Sequence, residues 1–241
     1  MTNHAQLDNV RHKDLRIRRD FRVGNGYDVN LTRVFPVEFI RLQAEYPLFF
    51  IRDSGSGSFE PVALLGFSAG ENLFLGDDRW DARYVPLSIE RRPFLIGFHE
   101  RVEDGVPTKV PVVSIDLEDP TVNDREGEPV FLPHGGESAF LERMTSILMT
   151  IWQGHEVNRA FSQLLVGLDL VESMRLEVEL QDGSKQALEG LYTINEDRLR
   201  ALNASGLETL HHKGHLKDVY MMLASLSNVA SLVEKKDRLL G

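Results

Sequence analysis

A chain of 241 residues with 42% hydrophobic and 27% charged content can bury roughly 70% of its unfolded surface, so it needs no covalent staple to fold. The absence of cysteine removes disulfides, thiolate metal sites and cysteine nucleophiles together, and a net charge of −10 opposes binding to a phosphate backbone, so nucleic acid is not an expected partner. The chain shows no apolar leader core and no run of about 18 apolar residues; a cytoplasmic location without a membrane span is the expectation.

The first segment carries Arg11, Lys13, Arg16, Arg18, Arg19 and Arg22, diluted by Asp14 and Asp20, which reads as a solvated strand or arm. Gly24-Asn25-Gly26 signals a turn, and Pro36 opens a helix through "PVEFIRLQAEY" that Pro47 stops. "LFFIRD" and "FEPVALLGFS" read as two strands joined by "SGSG". A short helix is expected in "YVPLSIERR", followed by strands "FLIGFHER" and "VPVVSIDL" around the turn "VEDGVPTK".

The stretch from Asp119 to Gly136 is acidic and rich in Gly and Pro, a surface loop or a sub-boundary within one domain spanning residues 1–241. From Ser138 the apolar spacing is helical, with Gly154 marking a bend in one helix or the corner of an antiparallel pair. "MRLEVEL" and "QALEGLYTI" flank Asp182-Gly183 as a hairpin. Asn195 caps "NEDRLRALN", "LETLHHKG" adds another helical segment, and one last helix buries Leu216, Val219, Tyr220, Leu223, Leu226, Val229, Leu232 and Val233. The fold class expected is α+β, with a mixed or antiparallel sheet from the N-terminal half and helices concentrated in the C-terminal half. The apolar helical C-terminus also suits a homodimer.

Gly66-Phe67-Ser68-Ala69-Gly70 matches the G-x-S-x-G elbow of serine hydrolases. That elbow needs a parallel strand before it and a long helix after it. Too few residues precede Ser68 to build a wide parallel sheet, and Gly76-Asp77-Asp78 follows within a turn or two, so Ser68 reads as part of a strand-ending turn. No catalytic residue is assigned.

Trp80, Tyr84 and Arg91, with Asn72, form the candidate ligand-binding set, because indole, phenol and guanidinium together can stack on and clamp an anionic or aromatic ligand. Trp80 as a core anchor and arginines that steady a loop are the alternative. His211 and His215 stand four apart, but Gly214 weakens the helix and Lys213 and Lys217 disfavour a cation, so they read as exposed histidines rather than a metal site. The acidic loop holding Asp116, Glu118, Asp119, Asp124, Glu126 and Glu128 lacks the register that wraps calcium and reads as solvated. No metal site is assigned.

Read through to Phe94, "LLGFSAGENLFLGDDRWDARYVPLSIERRPF" resembles the signature of the SapC family of bacterial proteins at Gly66, Glu71, Asn72, Leu73, Phe74, Trp80, Tyr84, Val85, Pro86, Arg91, Pro93 and Phe94. Glu38, Phe39, Tyr46 and Pro47 resemble an earlier segment of the family, and "GEPVF", the hairpin with its following helix, and "LHHKGHLKDVYMMLASLSNVASL" extend the resemblance over almost the whole chain. Arg92 departs from the tyrosine that commonly precedes the Pro-Phe pair, and His212, Lys213 and His215 are particular to this chain. The family name refers to surface-layer-associated proteins, often encoded beside TonB-dependent uptake receptors, flavin-dependent halogenase-like proteins and cupin-like proteins. The resemblance therefore implies an accessory protein of a cell-surface or nutrient-uptake system with an unidentified protein partner, and it implies no reaction, cofactor or catalytic residue. A small-molecule-binding protein or enzyme using Trp80, Tyr84 and Arg91 is the rival expectation.

Overall fold

The structure is a computed structural model and describes residues 3–76, 79–103 and 106–240. Asp77 and Asp78 of the expected loop after Ser68, and Asp104 and Gly105 of the expected turn, lie outside the described residues. In chain order the strands are β1 (His4–Gln6), β2 (Arg16–Ile17), β3 (Leu31–Arg33), β4 (Leu48–Arg52), β5 (Phe59–Leu64), β6 (Phe94–Glu103), β7 (Val106–Asp116), β8 (Val122–Asn123), β9 (Glu128–Pro129), β10 (Val171–Glu179) and β11 (Lys185–Ile194). The helices are α1 (Phe39–Leu42), α2 (Leu87–Glu90), α3 (Ala139–Gly167), α4 (Glu196–Arg200), α5 (Ala204–His212), α6 (Leu216–Ser225) and α7 (Asn228–Leu240). The fold is α+β, and the long helix α3 with α4 to α7 occupies the second half of the chain. Every described strand pair is antiparallel. No helix among the described residues is long and apolar enough to cross a membrane.

The chain divides into two compact units that interleave along the sequence. The first comprises residues 1–27, 75–80 and 87–152. It holds a sheet ordered β1-β7-β6 and a smaller one in which β2 lies between β8 and β9. Ile17, Phe94, Ile115, Val130, Leu141 and Met144 are buried in it, and the Phe94 and Phe140 rings meet edge-on at 5.8 Å.

The second unit comprises residues 28–74, 81–86 and 153–241, around a five-stranded sheet ordered β10-β11-β4-β5-β3. Phe39, Leu48, Phe49, Phe50, Leu64 and Phe161 are fully buried, and Phe161 sits 6.1 Å from Phe39 and 5.9 Å from Phe50. Each such side chain contributes roughly 1.5–3 kcal/mol of hydrophobic stabilisation. The β10–β11 hairpin turns at Gly183, whose φ is +82°, and bulges where Met174 and Leu176 face Leu191 and Leu188, with Gly190 supplying a φ of +78°.

Several helices differ from the sequence expectation for local reasons. The α3 helix is continuous through Gly154, so neither a pair of helices nor a break occurs there. A Cβ at Gly154 would stand 2.5 Å from the Phe35 ring, so this glycine admits an aromatic side chain against the helix. Asp169, with φ +57°, ends α3: its N–H and that of Leu170 donate to the carbonyls of Val166 and Leu165. The single last helix expected is two, α6 and α7, because the Ser225 and Ser227 hydroxyls donate to the carbonyls of Met222 and Ala224 and compete with helix continuation; Tyr220, expected on the buried side, is 54% exposed. The early helix is also shorter than expected, a 3-10 turn at Pro36–Glu38 followed by α1.

Candidate functional site

Trp80 and Arg91 belong to the first unit, and Asn72 and Tyr84 to the second. The α2 helix covers Leu87–Glu90 alone, so Tyr84 and Arg91 do not share a helical face.

In the second unit Tyr84 is held at four points. Its hydroxyl donates to Glu38 Oε2 at 3.0 Å, its N–H donates to Glu45 Oε2 at 3.2 Å, and its carbonyl accepts from the Tyr46 hydroxyl. The Arg41 guanidinium lies 5.3 Å from the centre of its ring. Glu38 is buried and accepts the Phe35 N–H through its other oxygen at 3.0 Å, while Glu45 also accepts the Arg83 N–H at 2.9 Å. A buried carboxylate that accepts from a main-chain N–H and a phenol holds two chain segments together, and losing it would strand both donors.

Asn72 is spent in the same way, its side-chain oxygen accepting the Phe74 N–H at 3.1 Å. Glu71 accepts the Phe67 N–H at 2.7 Å and pairs with Lys236. Gly66 leaves room for this turn, since a Cβ there would fall 2.5 Å from the Glu71 carbonyl oxygen. Ser68 lies in that exposed turn, accepting the Glu71 N–H through its carbonyl. The strand before it, β5, is antiparallel to both β3 and β4, which is the wrong setting for a nucleophile elbow.

In the first unit Trp80 is buried 5.6 Å from Phe21, edge to face, and Phe21 in turn lies 5.1 Å from Tyr27. Arg92 donates to Asp119 at 2.7 and 3.2 Å and stands 5.1 Å from the Tyr27 ring centre. Asp119 also accepts from the Thr121 N–H and hydroxyl. Burial, with the Asp119 charge second, pushes the Tyr27 phenol up to about 12. The expectation of a wholly solvated acidic loop is corrected here: Asp119 is buried as the counter-ion of Arg92, and β8 and β9 pair with β2. Arg19 and Arg143 converge on Glu90.

Arg91 differs from these arginines. Its Nη1 donates to the Phe94 carbonyl at 2.7 Å, and it pairs with no carboxylate among the described residues. Burial and then the adjacent Arg92 charge lower its pKa, the direction expected of a guanidinium without a counter-ion.

His211 and His215 are not partners on one helix. Gly214, with φ +80°, ends α5 by the same crossed hydrogen bonds that end α3, and His215 turns into the start of α6. His215 is therefore not an exposed junction residue. Its side chain is 12% exposed, Nδ1 lies 2.9 Å from the buried Asp218, and its ring packs 4.9 Å from Phe161. The H-x-x-D spacing across a helix start could have signalled this pair. Among the described residues no three histidine or carboxylate side chains gather as a metal site.

One main-chain feature lies outside all these side-chain groups. β6 forms one edge of its sheet, and no described strand pairs with its outer side. Its first five residues, Phe94-Leu95-Ile96-Gly97-Phe98, carry no charge, and Phe98 is 52% exposed.

A family model described as SapC matches residues 7–232 of the chain. Neither a curated protein nor a solved structure matches it.

Proposed function

We propose that this chain, which belongs to the SapC family, is an accessory protein that docks an extended segment of a partner protein along the outer edge of β6. The observation that carries this reading is an edge of ten residues, Phe94–Glu103, that begins with an uncharged run and has no described strand on its outer side. Arg91 takes the N–H and C=O of Phe94; beyond it, unpaired strand N–H and C=O groups offer main-chain hydrogen bonds to an added strand, and side chains at alternate positions supply selectivity. The Tyr84 clamp and the turn after β5 support the same reading, because Glu38 and Tyr46 in the one and Glu71 and Asn72 in the other use their polar groups to tie the chain. On this reading residues 1–241 act as one functional domain in the cytoplasm, serving a cell-surface or nutrient-uptake system.

A photo-crosslinking residue at Phe98, compared in native cells with one at Glu177 on β10, tests the proposal. A discrete crosslinked protein at position 98, absent at 177 and lost when Ile96→Pro disrupts the edge, is expected. Crosslinks of equal yield and identity at the two positions would contradict it.

Arg91 favours a second reading, a small-molecule-binding protein or enzyme, since a half-buried guanidinium is a ready partner for an anion. Native mass spectrometry of wild type and Arg91→Ala distinguishes it: a bound mass lost in the variant supports this reading, and equal retention removes Arg91 from it.

A further inference from the structure

Within the second unit, the end of β4, the connection that follows it and the last turns of α3 enclose an open cleft of about 440 Å³ lined by Arg52, Ser56, Phe59, Arg159, Gln163 and Val166, with Ser58 and Ser162 between them. The local sequence builds its wall. Asp53 accepts from the N–H groups of Gly55 and Ser56 and from the Ser56 hydroxyl, curling the loop so that Gly57 adopts a φ of +69°. The Gly57 carbonyl then accepts Arg52 Nε at 3.2 Å, which steadies the guanidinium at the rim.

The charge of this cleft is unusual for the chain. Two guanidinium groups line it and no carboxylate does so among the described residues, although the net charge of the protein is −10. Arg52 forms no ion pair with a described residue. Arg159 pairs with Glu156 at 2.9 Å, but with side chains 61% and 73% exposed, an arrangement that holds weakly against a competing anion.

Part of the cleft lining is apolar. Phe59 is braced edge-on by Tyr192 at 4.8 Å, and Val166 is 52% exposed. The Val166 and Leu165 carbonyls at the end of α3 are taken by the N–H groups of Asp169 and Leu170, which reduces the negative face the helix end turns to an incoming anion. We propose that this cleft binds a carboxylate attached to a flat apolar group, with Arg52 and Arg159 meeting the carboxylate and Phe59 and Val166 the apolar part. A guanidinium matches a carboxylate in geometry as well as charge, and an apolar surface favours a ligand with a hydrophobic body over a bare ion.

Amide-detected NMR titrations with benzoate, acetate and inorganic phosphate test this assignment. Saturable benzoate shifts at residues 52, 57–59 and 162–167 are expected, with acetate and phosphate each weaker by about tenfold or more. Arg52→Gln should weaken benzoate about tenfold, and Arg159→Gln by a smaller factor, because one charge-assisted contact is lost in each. Both side chains are exposed, and unchanged spectra elsewhere would show that the variants fold. Absence of saturable benzoate binding, equal affinity for all three anions, or undiminished binding by Arg52→Gln would each overturn the proposal.

Discussion

β6 and β10 are both long strands on the edge of an antiparallel sheet, and they are guarded very differently. β10 carries Glu172, Arg175, Glu177 and Glu179 along its nine residues and is distorted by the bulge near Gly190. Charges and bulges are the usual means by which a protein keeps a sheet edge from pairing with another chain. β6 begins with five uncharged residues and carries Glu100, Arg101 and Glu103 only in its second half, its pairing with β7 runs in unbroken register, and Phe98 stands out from it. The other described edge strands, β1 and β3 with three residues each and β8 and β9 with two, offer little to pair with. On the docking proposal, β10 is a closed surface and β6 a contact surface.

The same contrast separates the polar groups. Around Tyr84 the carboxylates, phenols and amide are tied to main chain or to one another, whereas Arg91 keeps no described acid partner. If the Tyr84 clamp serves the fold, Glu38→Ala should have the largest effect, destabilising the protein by about 2–5 kcal/mol in urea unfolding because two donors lose their acceptor. A loss under about 1 kcal/mol would show that the clamp is dispensable and its residues free for another role.

Tyr27 gives the next largest effect. Its phenol is raised to about 12 in the folded chain from an ordinary 10.0, so between those values the unfolded state releases a proton that the native state keeps. The stabilising contribution is complete below about pH 10 and is lost as pH rises toward 12, amounting to at most ~2–3 kcal/mol. Absorbance titration should show one tyrosine ionising late, and Tyr27→Phe should remove that step.

Gly154→Val should cost about 1–3 kcal/mol through overpacking against Phe35, and differential scanning calorimetry would register it as a lower Tm. Arg91→Ala should shift stability by less than about 1 kcal/mol. Phe98→Ser should shift it by less than about 0.5 kcal/mol, as exposed positions do, while abolishing partner crosslinking from a photo-crosslinking residue placed instead at Ile96. A large folding defect from Phe98→Ser would turn β6 into a buried element and erase its difference from the interior strands.

Much of this architecture is legible in residues that act locally. Asp182-Gly183 marks the β10–β11 turn, and Asn195 caps α4 by accepting the Arg198 N–H, both short-range effects that sequence states directly. The continuity of α3 is not legible, because glycine ordinarily weakens a helix and Phe35, more than a hundred positions away, is what makes Gly154 necessary. Among the candidate site residues, the residue types at Trp80, Tyr84 and Arg91 indicate what each could bind. They do not reveal that Glu38, Glu45 and Tyr46 already occupy Tyr84, since long-range hydrogen bonds leave no spacing pattern. Asp119 is hidden in the same way, its Arg92 partner standing 27 positions away, whereas the His215–Asp218 pair is local and its H-x-x-D spacing carries a signal.

The docking account rests on the openness of one strand edge. Residue-resolved hydrogen exchange across Phe94–Phe98 of the isolated protein measures it directly. The account predicts rapid exchange at Ile96 and Phe98, whose amides are directed away from β7, and protection at Leu95 and Gly97; the Phe94 N–H is already taken by the Arg91 carbonyl. Uniform protection along the strand would mean that another part of the molecule covers the edge, and the docking assignment would fall.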